Sequence, residues 1–428
     1  MYSPVSTFSG YGSRGRDLAY SLIQCKEPEY DVRFISCNWG NCAHGALDEN
    51  DPKHKMILDR ILPGGQMPKQ PDVWIMHTVP NEMQRVGAHF NILCTAGVET
   101  HLAGVEFIEG CNRADLVLVS SKFTKEVLER STFEKINNQT KQREAIIKLE
   151  KKIDVLFEGV DTNVYKHIDN STFELDHIEE DFCFLLTGMF IGSELYHDRK
   201  NIATTIKIFL ETFKNKKKAP ALILKTTGGS PSIIDREQLL DRIDIIRKSV
   251  KAQTLPNIYI VYGELTDAEM NAMYNHPKVK AFVLLGNEGF GRPYLEFSIS
   301  KKPIICSNYS GHTDFLNPEW TYYVGGELRQ IHPSVVVKSI IPPEGAWYYP
   351  DINEAANALK NVYEHYVSYL EGAKRQAYRS KTEFSLDKMT EKLGLILNEH
   401  LPKMSIPITL KLPPLKPRPQ KVETNETN

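Results

Sequence analysis

Cysteine, long apolar runs and excess charge of either sign are what this 428-residue sequence has least of. Its seven cysteines (Cys25, Cys37, Cys42, Cys94, Cys111, Cys183 and Cys306) are odd in number and too sparse for a disulfide framework. Cys37 and Cys42 lie near His44, but neither a C-x-x-C nor a second close pair accompanies them, so no metal site is expected. Nowhere do about 18 uninterrupted apolar residues occur, which leaves no candidate transmembrane segment. The opening MYSPVSTFSGYG has neither the basic start nor the apolar stretch of a secretory leader, so a cytoplasmic protein is expected. Lys and Arg total 52 against 54 Asp and Glu, and residues 1–165 carry 19 basic and 22 acidic groups. Such a balance lends no support to a broad phosphate-backbone-binding face.

What is present is ordinary globular material: 41% hydrophobic and 25% charged residues, in a chain long enough for two or three domains at about 150 residues each. Short β-branched apolar runs alternate with longer segments of helical period, the pattern of α/β units on parallel sheets. It occurs twice. Strands are predicted over residues 4–8, 32–37, 72–77, 90–95, 116–120 and 153–157, then over 182–187, 221–226, 258–262, 281–285 and 303–306. Helices are predicted over 16–24 and 124–130, the latter continuing through the charged stretch 131–152, and over 202–214, 235–253, 267–274 and 293–300. Further helices are expected over 352–370 and 374–397.

The reading is two doubly wound domains, residues 1–166 and 167–374. A terminal helix within 375–402 is expected to cross back to the first domain, followed by a Pro- and Lys-rich disordered tail over 403–428.

The stretch L-L-G-N-E-G-F-G-R-P-Y-L-E, residues 284–296, follows a predicted buried strand. Pro293 suits a first helical turn, so Glu288 and Glu296 are held where a strand meets a helix. In open α/β sheets ligands bind outside the carboxyl ends of strands, and Gly289 and Gly291 would let an anionic ligand approach the backbone. Earlier, L-L-T-G-M-F leads into H-D-R-K-N, which brings Arg199 and Lys200 to a helix start as candidates for neutralising a leaving diphosphate. Lys225, in L-K-T-T-G-G, is a further candidate phosphate contact. In the first half, S-G-Y-G-S-R-G places Gly10 and Gly12 between a strand and a helix, and His77 ends a predicted strand in D-V-W-I-M-H-T-V-P. Thr95 to Thr100 and residues 106–112 add polar groups near strand ends.

The segment E-G-F-G-R-P-Y-L-E-F-S, with Glu288 and Glu296 separated by seven residues, resembles the paired-glutamate motif of family 4 retaining glycosyltransferases of GT-B fold. The following P-I-I-C-S strand and N-Y-S-G-H-T-D-F-L fit the same pattern, so the resemblance covers most of the second domain. It implies two Rossmann-like domains facing across a cleft, residues 1–166 binding the acceptor and residues 167–374 the nucleotide-sugar donor. By the same resemblance Glu288 lies beside the donor sugar, Glu296 on the nucleotide ribose, and backbone N–H groups near Phe290 and Gly291 at the sugar or diphosphate. His77 would contact the transferred sugar. The sequence departs from the family where Met189 follows Gly188, a position that usually holds arginine, and Arg199 is the candidate substitute.

The activity implied is transfer of a sugar from a nucleotide-diphosphate sugar to an acceptor hydroxyl with retention, without cofactor or metal. Front-face transfer is what the resemblance implies, with double displacement through a carboxylate nucleophile as the other route to retention. A dinucleotide-dependent oxidoreductase would need a complete G-x-G-x-x-G with an acid about 20 residues on, which S-G-Y-G-S-R-G does not supply. A non-catalytic sugar-nucleotide binder keeps the fold as well, although both glutamates and the Arg-Lys pair argue for chemistry. The segments W-I-M-H-T-V-P-N-E and S-G-H-T-D-F-L also resemble glycosyltransferases encoded by bacteriophages, some of which modify DNA bases; the protein would then work in the host cytoplasm. Glycan, lipid carrier, protein and modified nucleobase all stand as acceptors at this point.

Overall fold

The computed structural model describes residues 1–25, 30–190, 192, 194–227, 232–337 and 339–403. The first half runs β1 (Tyr2–Ser3), α1 (Gly10–Gln24), β2 (Ile35–Ser36), α2 (Pro52–Leu58), β3 (Val73–His77), β4 (Phe90–Thr95), α3 (Val105–Asn112), β5 (Leu116–Val119), α4 (Lys122–Arg130), β6 (Phe133–Ile136), β7 (Arg143–Ile147) and β8 (Lys152–Val155). The second runs β9 (Cys183–Thr187), α5 (Ile202–Phe213), β10 (Ala221–Thr226), α6 (Ile233–Lys248), β11 (Ile258–Tyr262), α7 (Asp267–Asn275), β12 (Val279–Leu284), α8 (Arg292–Ser298), β13 (Ile304–Ser307) and β14 (Tyr322–Val324). After these come β15 (Gly326–Gln330), β16 (Ala346–Pro350), α9 (Ile352–Glu364), α10 (Tyr366–Glu383) and α11 (Leu386–His400).

Two parallel six-stranded sheets result, ordered β2-β1-β3-β4-β5-β8 and β11-β10-β9-β12-β13-β14. Helices cover both faces of such sheets, so central strands read as unbroken apolar runs: all four residues of β5 are buried, as are Phe184, Leu185 and Leu186 of β9. The second order is that of a nucleotide-binding doubly wound sheet, with its reversal between β9 and β12; the first reverses between β1 and β3. From Val160 onward the chain joins the second core, to which Tyr165, Leu175 and Ile178 contribute. α11 returns to the first half, where Met389, Leu393 and Leu397 pack with Leu18 and Leu22 of α1 and the Ser21 and Thr390 hydroxyls meet at 2.8 Å. Burial of each such leucine is worth about 1.5–3 kcal/mol. Among the described residues no helix is long and apolar enough to cross a membrane.

Three expectations are corrected and one further element is added. Residues 131–152 do not extend α4: β6 and β7 pair as an antiparallel hairpin with Phe133 opposite Ile147. The Asn137 carboxamide accepts from the N–H groups of Gln139 and Thr140, a side-chain-stabilised turn that competes with helix, and Lys141 takes a positive φ of 56°. The opening strand is Tyr2–Ser3 rather than residues 4–8, because Thr7 folds back on Pro4 and Ser9 caps α1 from Gly10 onward. The helix expected over 374–397 breaks at Phe384, where Ser385 starts α11 by accepting from Lys388 N–H. Finally, β15 and β16 form an antiparallel arm that was not foreseen. Of the tail expected over 403–428, residues 404–428 lie outside the described residues.

Candidate active site

Each sheet opens a crevice at its reversal point, where neighbouring strands send their loops to opposite sides. In the second sheet the loop after β9 carries Arg199 and Lys200, and the loop after β12 carries Glu288. The two loops are fastened together. Asn287 donates its backbone N–H to the Arg199 carbonyl at 2.8 Å and its side-chain amide to the same oxygen at 3.2 Å. A Cβ on Gly286 would lie 2.4 Å from Lys200 Cα, so only glycine permits this approach. Asp198 fixes the turn before α5 by accepting from Lys200 N–H at 3.0 Å.

Lys200 Nζ forms an ion pair and hydrogen bond with Glu288, both groups being nearly buried. Burial pushes the Glu288 carboxyl up, but Lys200 and Arg199 outweigh it and hold the group below the ordinary carboxylate range. Its backbone N–H donates to Ser310 Oγ at 3.0 Å, and its carbonyl accepts from Gly311 N–H at 2.8 Å. Arg199 points across the crevice to Glu99 of the first half at 3.0 Å, and its Nη1 makes no aligned hydrogen bond among the described residues.

Glu296, one turn into α8, accepts from Arg292 Nε at 2.6 Å and from the Tyr274 hydroxyl at 3.4 Å. Arg292 also reaches Asp17 of α1, so one nearly buried guanidinium joins two carboxylates from different halves. Burial raises the Glu296 carboxyl to about 7, with Arg292 opposing the rise and Asp267 and Asp17 adding to it. Because the shift is upward, the stability contributed by this group is complete below about pH 4.5 and lost as pH rises through about 7. Glu296→Gln cannot titrate, so the melting temperature of the wild type relative to this variant should fall between pH 5 and pH 8. Parallel melting curves over that interval would count against the shift.

In the first half, Ser9 caps α1 by accepting from Gly12 N–H at 2.9 Å. A Cβ at Gly12 would meet the Thr7 carbonyl at 2.1 Å, whereas Gly10 has open space beside it. His77 ends β3 as expected but is fully buried: Nδ1 shares a hydrogen bond with Ser3 Oγ at 3.1 Å, and Tyr11 lies over the ring at a centroid distance of 4.9 Å. Burial, then the Arg14 charge, keeps the imidazole neutral well below its ordinary range. Tyr11 stacks in turn on Trp39 at 3.9 Å.

Lys225 is the penultimate residue of β10, next to Gly188, where its ammonium donates to the Gly263 carbonyl at 2.6 Å; burial lowers its pKa. Gly289 packs against the first half: its carbonyl accepts from Ser121 Oγ at 2.6 Å and a Cβ would strike the Ala96 carbonyl at 2.4 Å. Gly291 adopts a φ of 96° that turns the chain into α8, and the Phe290 ring is buried against Phe315. Lys200, Arg199, Glu288, Gly289 and Gly291 are therefore gathered where the halves meet. Glu296 lies behind them on Arg292, and His77 sits under Tyr11.

Glu99, Asp17, Arg292 and Ser310 went unassigned in the sequence. Arg292 and Ser310 lie inside the motif segments, but their roles depend on partners far along the chain. Ser310 carries a φ of 82°, rare for a residue with a side chain, where it meets Glu288.

No family model and no curated protein sequence matches the chain. Among solved structures, a glycosyltransferase from Rickettsia africae aligns with a TM-score of 0.54 at 14% identity, covering 94% of this chain and 98% of that one. OtsA aligns at 0.51 with 10% identity over 79% and 74% of the two chains. Anabaena HepE, in complex with UDP and glucose, aligns at 0.50 with 11% identity over 72% and 71%. At such identities the likeness is one of fold. The chain has the GT-B fold, as the sequence led us to expect.

Proposed function

We propose that this protein is a retaining glycosyltransferase that moves a sugar from a nucleoside-diphosphate sugar to an acceptor hydroxyl. The observation that carries the reading is the Lys200–Glu288 pair at the β9/β12 reversal point, opposite Arg199–Glu99 and the start of α1. A donor entering there brings two phosphates, and Lys200 exchanges part of its contact with Glu288 for the diphosphate. Arg199, whose Nη1 makes no aligned hydrogen bond among the described residues, supplies the second cation in place of the arginine absent at Met189.

As the bond from the anomeric carbon to the diphosphate oxygen breaks, charge grows on that oxygen and Lys200 stabilises it. The acceptor oxygen forms its bond to the anomeric carbon on the same face, and its proton passes to a phosphate oxygen. Glu288, relieved of Lys200, accepts hydrogen bonds from the sugar hydroxyls. Glu296 accepts from the ribose. The neighbour described with UDP and glucose makes UDP-glucose the first donor to test.

Glu296→Ala should weaken UDP-glucose binding about tenfold to a hundredfold, the loss of a hydrogen bond to a charged acceptor costing about 1.5–3 kcal/mol. Calorimetric titration of both proteins gives the answer, and an unchanged dissociation constant removes the ribose role. If no nucleoside-diphosphate sugar raises the melting temperature or is hydrolysed, the transferase reading fails.

A further inference from the structure

The loop after β4, residues 96–100, carries the first half to the edge of the β9/β12 crevice. A Cβ built on Gly289 would lie 2.4 Å from the Ala96 carbonyl oxygen and 3.8 Å from that of Val98, so this loop packs directly on the residue after Glu288. Its shape is fixed at several points. Ala96 N–H donates to the Tyr11 hydroxyl at 3.2 Å, and the Ala96 carbonyl accepts from Ser120 Oγ at 2.9 Å. Gly97 turns the chain at a φ of 94°, with the Thr124 side chain standing where a Cβ would be. Val98 is buried, and the Thr100 hydroxyl donates to the Leu102 carbonyl at 2.7 Å.

Between Val98 and Thr100, Glu99 reaches into the crevice, where its carboxylate lies 3.0 Å from Arg199 Nη1. The contact is one of charge, since that nitrogen makes no aligned hydrogen bond among the described residues. Burial disfavours the Arg199 charge, but Glu99, then Glu288 and Asp198, outweigh it. Arg199 therefore sits between the acidic groups of the two halves. The two side chains are still 33% and 30% exposed, and an ion pair so placed is worth little, so both partners are open to exchange.

A diphosphate offers Arg199 a better partner, because phosphate oxygens accept parallel N–H bonds from the guanidinium fork. Once Arg199 turns to it, Glu99 stands as an unpaired carboxylate across the crevice from Lys200 and Glu288.

We infer that Glu99 receives the acceptor: it holds Arg199 until a diphosphate draws that cation away, and its carboxylate then accepts a hydrogen bond from an acceptor hydroxyl. The acceptor so selected is a neutral polyol. With Arg199 and Lys200 engaged on the diphosphate, an anionic acceptor would meet two carboxylates, Glu99 and Glu288, and no cation to offset them. The inference rests on the transferase reading. The acceptor oxygen bonds to the anomeric carbon as the bond to the diphosphate oxygen breaks, and its proton passes to a phosphate oxygen. Glu99 takes no proton; it orients the acceptor through a neighbouring hydroxyl or, when water is the acceptor, through the second O–H.

Using water as the acceptor makes the test independent of which polyol is natural. UDP binding is measured by calorimetry and UDP-glucose hydrolysis by initial rates, on the full chain of the wild type, Glu99→Gln, Arg199→Ala and the double variant. Glu99→Gln should bind UDP about twofold to fivefold tighter, because an exposed ion pair no longer competes for Arg199. Its kcat for hydrolysis should fall about tenfold to a hundredfold, the range for a lost hydrogen bond to a charged group. Loss of folded protein would lower both quantities, so opposite signs exclude a merely structural role. In the Arg199→Ala background the same substitution should leave UDP affinity unchanged. An equal gain in both backgrounds, or an undiminished kcat in Glu99→Gln, overturns the inference. Glycerol added to the wild type should divert the glucosyl group from water more than glycerol 3-phosphate does; the reverse order, or diversion by neither, overturns the polyol class. Wild-type hydrolysis that Glu99→Gln leaves intact sinks the role of Glu99 alone, whereas failure of every nucleoside-diphosphate sugar to bind or be hydrolysed sinks the transferase reading and this inference with it.

Discussion

Lys200→Ala is expected to lower turnover by about a hundredfold or more while changing donor affinity far less. The ground-state diphosphate carries its charge spread over several oxygens, whereas the bridging oxygen becomes fully anionic only as its bond to the sugar breaks. A cation aimed at that oxygen therefore stabilises the transition state more than the bound donor, and removing one preorganised donor of this kind typically costs about a hundredfold to a thousandfold in rate. Lys200 also holds the Glu288 carboxyl down, so in the variant burial meets less opposition and Glu288 accepts from sugar hydroxyls less well. Initial rates against UDP-glucose concentration, with and without chelator, provide the measurement. We expect the wild type to keep its activity in chelator. Loss of activity in chelator together with a silent Lys200→Ala would place the diphosphate on a metal ion instead.

The second large effect is on stability. Arg292→Ala should cost about 3–5 kcal/mol, because it strands Asp17 and Glu296 as buried carboxylates without their shared cation. For domains of this size the loss corresponds to a fall in melting temperature of roughly 6–20 °C. Its pH dependence identifies the cause. Burial already raises both carboxyls, and without Arg292 they rise further, so the deficit should shrink as pH falls and the two groups take up protons. A deficit that stays constant between pH 8 and pH 5 would show that lost packing, not stranded charge, is responsible. Since Arg292 joins α8 to α1, the variant should also open the crevice, which would appear as faster amide exchange in the loop around Gly289.

Much of the second half was legible because its strands are buried on both faces. A run such as Phe184 to Leu186 can be little else when glycine follows and a helical period begins, and the same logic located β12 and the loop of Glu288. The charged stretch 131–152 misled because its polar residues fit an exposed helix as well as an exposed hairpin; there the Asn137 turn decided, through hydrogen bonds that periodicity does not report. The arm of β15 and β16 escaped notice for a related reason. Its side chains pack mainly on one another and on the Tyr196 loop, more than a hundred residues earlier in the chain, so no local pattern announces it.

By itself, then, the sequence determined the two doubly wound sheets, the position of Lys200 before a helix start and those of Glu288 and Gly289 in a loop after a strand, since these follow from apolar runs and from glycine and proline near the helix starts. The tertiary structure decided what those groups face. Arg199 meets Glu99, and Arg292 divides itself between Glu296 and Asp17, whose places in the chain lie far from their partners and whose pairing depends on how the halves close. His77 was read correctly as the end of a strand, yet whether that end is open or covered depends on the ring of Tyr11, delivered by α1 from another strand's loop. Local periodicity fixes which residues leave a sheet edge; only long-range packing fixes which of them remain exposed to a ligand and which are spent on one another.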